Sequence, residues 1–290
     1  MAILLSHGGW GMPTMPIDVA IEHCARLGFD GYTMAVKPGW TTDAATLDAA
    51  ERRRILALFD RYGLELAGIS GQTSLLPDDP DQVNTNLALV HGYIDLTAQL
   101  QRSGHPLPLC MTAGGRTDQW EEAKHLLVDR FGELAHHSEQ AGVIAVAEPH
   151  VSSALRDPAD VLWLLDQVGS PALMVDLDTS HFNTQGLDIE RVIEQLGPRT
   201  AHVEVKDERG LAPDHELLIP GEGTCDYVKI LKALQRVGYD GFVDVEISFM
   251  VQHRPGYDPL AVAERSYRVL ASAFEEAGIE RRRRWGRSTA

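Results

Sequence analysis

Acidic residues close several apolar stretches of this chain, with histidine and lysine beside them. Val143-Ile144-Ala145-Val146-Ala147 runs into Glu148-Pro149-His150, setting a carboxylate and an imidazole two positions apart on one side of the backbone. Leu173-Met174-Val175 runs into Asp176-Leu177-Asp178-Thr179-Ser180-His181. In His202-Val203-Glu204-Val205-Lys206-Asp207 the strand period of two puts His202, Glu204 and Lys206 on one face, and Val243-Asp244-Val245-Glu246-Ile247-Ser248 repeats the alternation. A lone carboxylate at a strand end is commonly the N-cap of the next helix. One from each of four neighbouring strands is different, because inward carboxylates repel one another and stay uncompensated unless a cation sits among them. A divalent metal meets that need. Oxygen-rich ligands favour hard or borderline ions, here Mn²⁺ or Mg²⁺, with open positions for substrate oxygens.

These acids need a scaffold that brings strand ends together. Eight β-rich runs alternate with stretches of helical period: Ala2 to His7, Gly31 to Val36, Leu64 to Ser70, Leu107 to Thr112, Gly142 to Glu148, Ala172 to Asp178, Thr200 to Lys206 and Gly241 to Ile247. Trp120 to Ala141 and Tyr227 to Val237 are examples of the amphipathic segments between them. Helix-ending glycines announce three runs, and the pattern Gly-aromatic-Asp-Gly recurs before the second and the eighth. Eight βα units predict an α/β fold closed as a (β/α)8 TIM barrel, one domain over 1–280 with a basic tail over 281–290. In such barrels the C-terminal ends of the strands form the catalytic mouth. No GxGxxG opens the first unit, which speaks against dinucleotide binding.

The 290 residues suit a barrel, which runs to about 250 as one unit. A hydrophobic fraction of 44% with 23% charged residues is that of a folding chain, and a net charge of −16 argues against nucleic acid or anionic membranes as partners. The run Arg281 to Arg284, with Trp285 and Arg287, is the exception and reads as a solvated tail. Cys24, Cys110 and Cys225 are scattered without a CxxC pair, as expected of buried thiols in a reducing compartment. The N-terminus lacks the pattern of a signal peptide and no run approaches the ~20 apolar residues of a membrane span, so a soluble cytoplasmic protein is expected.

Glu148, Asp178-Thr179-Ser180-His181, His202-Val203-Glu204-Val205-Lys206-Asp207, Pro220-Gly221-Glu222-Gly223 and Glu246 together resemble the xylose isomerase-like barrel superfamily over nearly the whole chain. That group includes sugar-phosphate isomerases, ketose 3-epimerases, inosose and dehydroshikimate dehydratases, hydroxypyruvate isomerase and endonuclease IV. The resemblance implies metal ligands Glu148, Asp178, Glu204 and Glu246. Glu204 stands where such chains usually carry His. Either Lys206 compensates for the added charge or His202 takes over as ligand, and Glu204 is the preferred reading. The change favours Mn²⁺ or Mg²⁺ over Zn²⁺ and disfavours the trinuclear zinc site of endonuclease IV.

The resemblance further implies Glu148 and Glu246 as the acid-base pair on opposite faces of a sugar-like substrate. A metal-held carbonyl and hydroxyl would acidify the carbon-bound proton between them through an enediolate. His150 is a candidate proton shuttle; His181, His202, Lys206 and Arg254 are candidate substrate contacts, Arg254 for a carboxylate or phosphate. Trp10 or Trp40 could stack on a sugar ring, with His7 and Gln72 at the mouth and Ser248 to Tyr257 a long loop shaping the pocket. The expected activity is sugar isomerisation or epimerisation. The alternatives are a lyase, either a dehydratase or a deglycosidase catalytic subunit with a small partner subunit, and a binding barrel without chemistry. A homo-oligomer is expected from the resemblance.

Overall fold

Apolar and polar residues alternate along the predicted strands, and that alternation sets the architecture in the computed structural model, which describes residues 3–102 and 106–281. The strands are β1 (Leu4–Gly8), β2 (Gly31–Ala35), β3 (Glu65–Leu76), β4 (Pro108–Gly114), β5 (Ile144–Glu148), β6 (Leu173–Asp178), β7 (Thr200–Val205), β8 (Asp207–Arg209), β9 (Glu216–Leu218) and β10 (Phe242–Val245). Eight of them close a parallel barrel in the order β1-β10-β7-β6-β5-β4-β3-β2, and β8 and β9 form a separate antiparallel hairpin. All eight expected runs are present as barrel strands. The hairpin was not anticipated, because three-residue strands carry no usable periodicity.

Within β6, Leu173, Val175 and Leu177 join the apolar core with the helices while Asp176 and Asp178 take the opposite face. Val203 and Val205 against His202 and Glu204 in β7, and Val243 and Val245 against Asp244 in β10, follow the same rule. The barrel therefore has an apolar outer face packed on helices through fully buried residues such as Phe59, Phe131, Phe182 and Phe274, and an unusually polar inner face. The expected helix Trp120–Ala141 is observed with those bounds, and the second spans Tyr227–Arg236. Gly28, at φ +101°, ends the helix Ile17–Leu27 in the left-handed conformation that favours glycine.

Arg281 departs from the solvated-tail reading. Its Nε lies 3.1 Å from Asp30 Oδ2, an oxygen that also accepts the Leu5 N–H at 3.0 Å. The rest of the basic run, 282–290, lies outside the described residues. Among those described, no helix is long and apolar enough to cross a membrane.

Leu177 separates the two inward aspartates of β6 and is fully buried on the helix side. Leu177→Ala is expected to lower stability by about 2–5 kcal/mol in urea unfolding. A loss below about 1 kcal/mol would mean that β6 does not pack in this register.

Candidate active site

Four of the inward carboxylates meet at the C-terminal ends of the strands. One oxygen from each of Glu148, Asp178, Glu204 and Glu246 lies within 4.8 Å of all the others, and the side chains are almost wholly buried. Asp178 pairs in register with Glu204, whereas the residue opposite Glu204 on β10 is Asp244, so barrel stagger lifts Glu246 above its neighbours.

Asp178 unites two roles that the sequence left as alternatives. Its Oδ1 caps the short helix Thr179–Asn183, accepting Ser180 N–H at 2.9 Å and Ser180 Oγ–H at 2.7 Å. That cap turns Oδ2 toward the cluster, 2.5 Å from Lys206 Nζ and 3.3 Å from His181 Nε2. Lys206 also pairs with Glu246. The ammonium thus bridges Asp178 and Glu246 rather than Glu204. Burial works against its charge, yet Asp178, Glu246, Glu204 and Glu148 together hold Lys206 well above the ordinary lysine range. Burial likewise opposes ionisation of Asp178, but Lys206 and His181 outweigh it and keep that carboxyl at about 2.

Glu204 and Glu148 lack an ammonium partner. Burial, then Asp176, Glu246 and Glu148, drive Glu204 well above the usual carboxylate range, and burial also raises Glu148. His181 reaches Glu148 Oε1 at 3.1 Å; burial lowers its pKa to about 4, so it is neutral at pH 7. It forms a second ligand-capable trio with Glu148 and Asp178. The His150 ring lies 3.8 Å from the His181 ring, and burial and His181 lower it to about 3. Gln72, on β3, neighbours Glu148 and slightly offsets the effect of its burial.

Several expected contacts sit elsewhere. His202 is fully buried two positions below Glu204, with Nε2 3.9 Å from Glu204 Oε1, and does not line the mouth as a substrate contact. His7 turns outward against Phe29 with ring centroids 5.4 Å apart, since Ser6 takes the inner face. Arg254 is committed to Glu222 at 2.6 Å, a carboxylate that also holds Arg265 at 2.9 Å, so its guanidinium ties loops together instead of awaiting an anion. The expected loop after β10 contains a helix, Phe249–Gln252. Phe249 packs on Trp10 and Trp40, whose rings are 4.8 Å apart, and Lys37 Nζ lies 5.0 Å from the Trp10 ring. Both tryptophans thus belong to a packed aromatic rim.

Asp207 organises the Pro-Gly-Glu-Gly loop: Oδ1 accepts the N–H groups of Glu208 and Cys225 at 3.0 Å, and Oδ2 accepts that of Gly221 at 2.8 Å. A Cβ at Gly223 would drive into the Glu208 carbonyl and the Asp207 carboxylate, so the loop requires glycine there. A cavity of about 600 Å³ opens beside the β8–β9 hairpin, lined among others by Asn183, Glu208, Asp226 and Lys229 and by none of the four converging carboxylates. Glu208, raised by burial to about 8, lines that cavity. No run or motif pointed to this cavity, because the unanticipated hairpin builds one wall of it.

Lys206→Met is expected to destabilise the metal-free protein by about 3–5 kcal/mol, since two buried carboxylates lose their counterion. Urea unfolding should show part of the loss recovered with excess Mn²⁺, and an unchanged midpoint would remove Lys206 from the charge balance. Burial holds Asp244 at about 7, above its value in an unfolded chain. Its contribution to stability is therefore present below about pH 4 and lost as pH rises through 7, by up to about 1.4 kcal/mol per pH unit. The metal-free protein should lose stability from pH 5 to 8, and Asp244→Asn should flatten that slope.

Comparison with known proteins identifies the barrel's family. A family model described as xylose isomerase-like TIM barrel matches residues 21–273. A fructoselysine 3-epimerase from Shigella flexneri is 25% identical over 257 residues, covering 84% of this chain and 90% of the relative. An inosose dehydratase from Lacticaseibacillus casei is 26% identical over 144 residues, 44% of this chain and 47% of its own. A crystal structure of a xylose isomerase-like TIM barrel protein from Mycobacterium smegmatis in complex with magnesium superposes with a TM-score of 0.69 at 17% identity, covering 95% and 97% of the two chains.

Proposed function

Because the chain belongs to the xylose isomerase-like TIM barrel family, we propose that it is a divalent-metal-dependent sugar isomerase or epimerase acting on a ketose or keto-sugar. The observation that carries this reading is the convergence of Glu148, Asp178, Glu204 and Glu246. The donor set suits a hard cation: all four donors are oxygens, and Glu204 Oε2 is buried without a hydrogen-bond partner. These four would hold the ion, with Mn²⁺ or Mg²⁺ as first choices because every donor is an oxygen. When bound there, a divalent ion would polarise a carbonyl and an adjacent hydroxyl and acidify the carbon-bound proton between them.

The chain's own groups supply the proton transfers. Glu148 and Glu246 stand on strands on either side of β6 and β7, so one can remove a carbon-bound proton and the other return it. Return to the opposite face of the same carbon is epimerisation; return to the neighbouring carbon is isomerisation. Burial leaves Glu148 with the raised basicity such a base needs. Lys206, held between Asp178 and Glu246, keeps Glu246 oriented. Trp10, Trp40 and Phe249 give the mouth an apolar wall that limits water. The epimerase relative supports this assignment.

His150 and His181, their rings tilted against each other beside Glu148, favour a second reading, a lyase, in which an imidazole relays a proton from Glu148 to a departing hydroxyl. The inosose dehydratase relative accords with it. We read the protein as cytoplasmic and homo-oligomeric, the free thiols Cys24, Cys110 and Cys225 being in keeping with a reducing compartment.

The test is metal content by elemental mass spectrometry, then deuterium uptake from D₂O into a panel of ketoses and keto-glycosides. Metal-dependent uptake with a product of equal mass is expected; loss of water or an aglycone selects the lyase, and metal without uptake selects a binding barrel. Glu246→Gln should slow turnover and uptake by at least about 100-fold with the fold intact, and wild-type rates would remove Glu246 from the chemistry.

A further inference from the structure

Beneath the mouth, the barrel interior holds a second constellation that the isomerase reading leaves unused. Cys110 on β4, Asp176 on β6, and His202 and Glu204 on β7 are all buried, and each offers a donor atom within 4.8 Å of the other three. Asp176 and His202 pair directly across the ladder. Both oxygens of Asp176, both nitrogens of His202 and Oε2 of Glu204 have no hydrogen-bond partner. The Cys110 thiol faces Asp176 as its polar neighbour, but a thiol is a weak donor and does not reach hydrogen-bonding geometry. Buried polar atoms are rarely left in this state, and several aimed into one space need an occupant.

The donor chemistry selects that occupant. Sulfur and imidazole nitrogen joined to two carboxylate oxygens make a four-donor set of the kind that binds Zn²⁺ or its spectroscopic substitute Co²⁺, not a magnesium cage. We propose that Cys110, Asp176, His202 and Glu204 form a second, deep metal site for a borderline divalent ion, with Glu204 bridging it to the outer carboxylate centre. Binding displaces the thiol proton to solvent as the metal–sulfur bond forms, with no change of oxidation state. Four protein donors and full burial leave no position for substrate, so the deep ion is structural. It fixes the orientation of Glu204 and removes negative charge from beneath the mouth. Only Glu204 is common to both sites, so each has ligands whose loss reports on it alone.

The experiment is a Co²⁺ titration of the full chain after chelator stripping, following bound equivalents and thiolate-to-cobalt charge-transfer absorption in the near ultraviolet. Two equivalents per chain are expected, one of them carrying the charge-transfer band. Cys110→Ser should abolish the band and leave one equivalent. Asp176→Asn should also leave one, and serves as the second probe should the cysteine variant fail to fold. Asp178→Asn should remove the other equivalent and keep the band. One equivalent without the band, insensitive to Cys110→Ser but lost in Asp178→Asn, overturns the deep site and leaves the outer centre standing. One equivalent with the band that survives Asp178→Asn keeps the deep site and overturns the outer one, and no bound cobalt overturns both.

Discussion

Carboxyl groups crowded at and below the mouth of a closed barrel must be met by positive charge or by protons. Glu148, Asp176, Asp178, Glu204, Asp244 and Glu246 alternate inward from four strands, and among the described residues Lys206 is the buried ammonium that faces them. Two like charges 4 Å apart repel by about 4 kcal/mol at an effective dielectric constant of 20. Lys206 satisfies Asp178 and Glu246, and the carboxyls it does not contact, Glu148, Glu204, Asp176 and Asp244, are those driven toward the protonated form. Cation and proton occupancy are therefore alternative answers to one electrostatic demand.

Much of this arrangement is legible in the chain itself. A period of two places Asp176 and Asp178, or His202 and Glu204, on one face without any knowledge of the fold, and apolar partners such as Leu177 and Val203 say that the opposite face meets helices. What the period does not encode is depth. Barrel stagger sets Glu204 beside Asp178 on one side but beside Asp244 on the other, so a residue's layer follows from pairing register, a long-range property. For that reason His202 reads as a mouth residue and lies a layer below it, and Cys110 reads as an inert thiol although it points into the polar interior. The Arg254 pairing is hidden for another reason: its partner Glu222 lies 32 residues away in sequence and nothing local announces the pair.

The carboxylate at Glu204, where the sequence resemblance implies a histidine, also takes on a structural meaning. An imidazole at that position would add no charge, whereas a carboxylate adds one that Lys206 does not contact directly. The substitution is tolerable only where something below or beside Glu204 offsets it, and the side chains beneath it are Asp176, His202 and Cys110. The chemistry of the mouth is thereby tied to the barrel floor. In barrels with a neutral ligand there, the two layers would be electrostatically independent.

The rim of the mouth is built from two unlike materials. On the β7 to β10 side, Asp207 and the Glu222 pairing with Arg254 and Arg265 form a charged, hydrogen-bonded frame in which each group satisfies several others. On the β1 to β2 side, Trp10, Trp40, Lys37 and Phe249 meet mainly through tilted aromatic contacts. A frame of mutually dependent ion pairs resists piecemeal mutation, because changing one member strands its partners, while apolar contact faces accept single exchanges of shape and size. Divergence toward new substrates should therefore accumulate on the aromatic side, with the charged side inherited as a block.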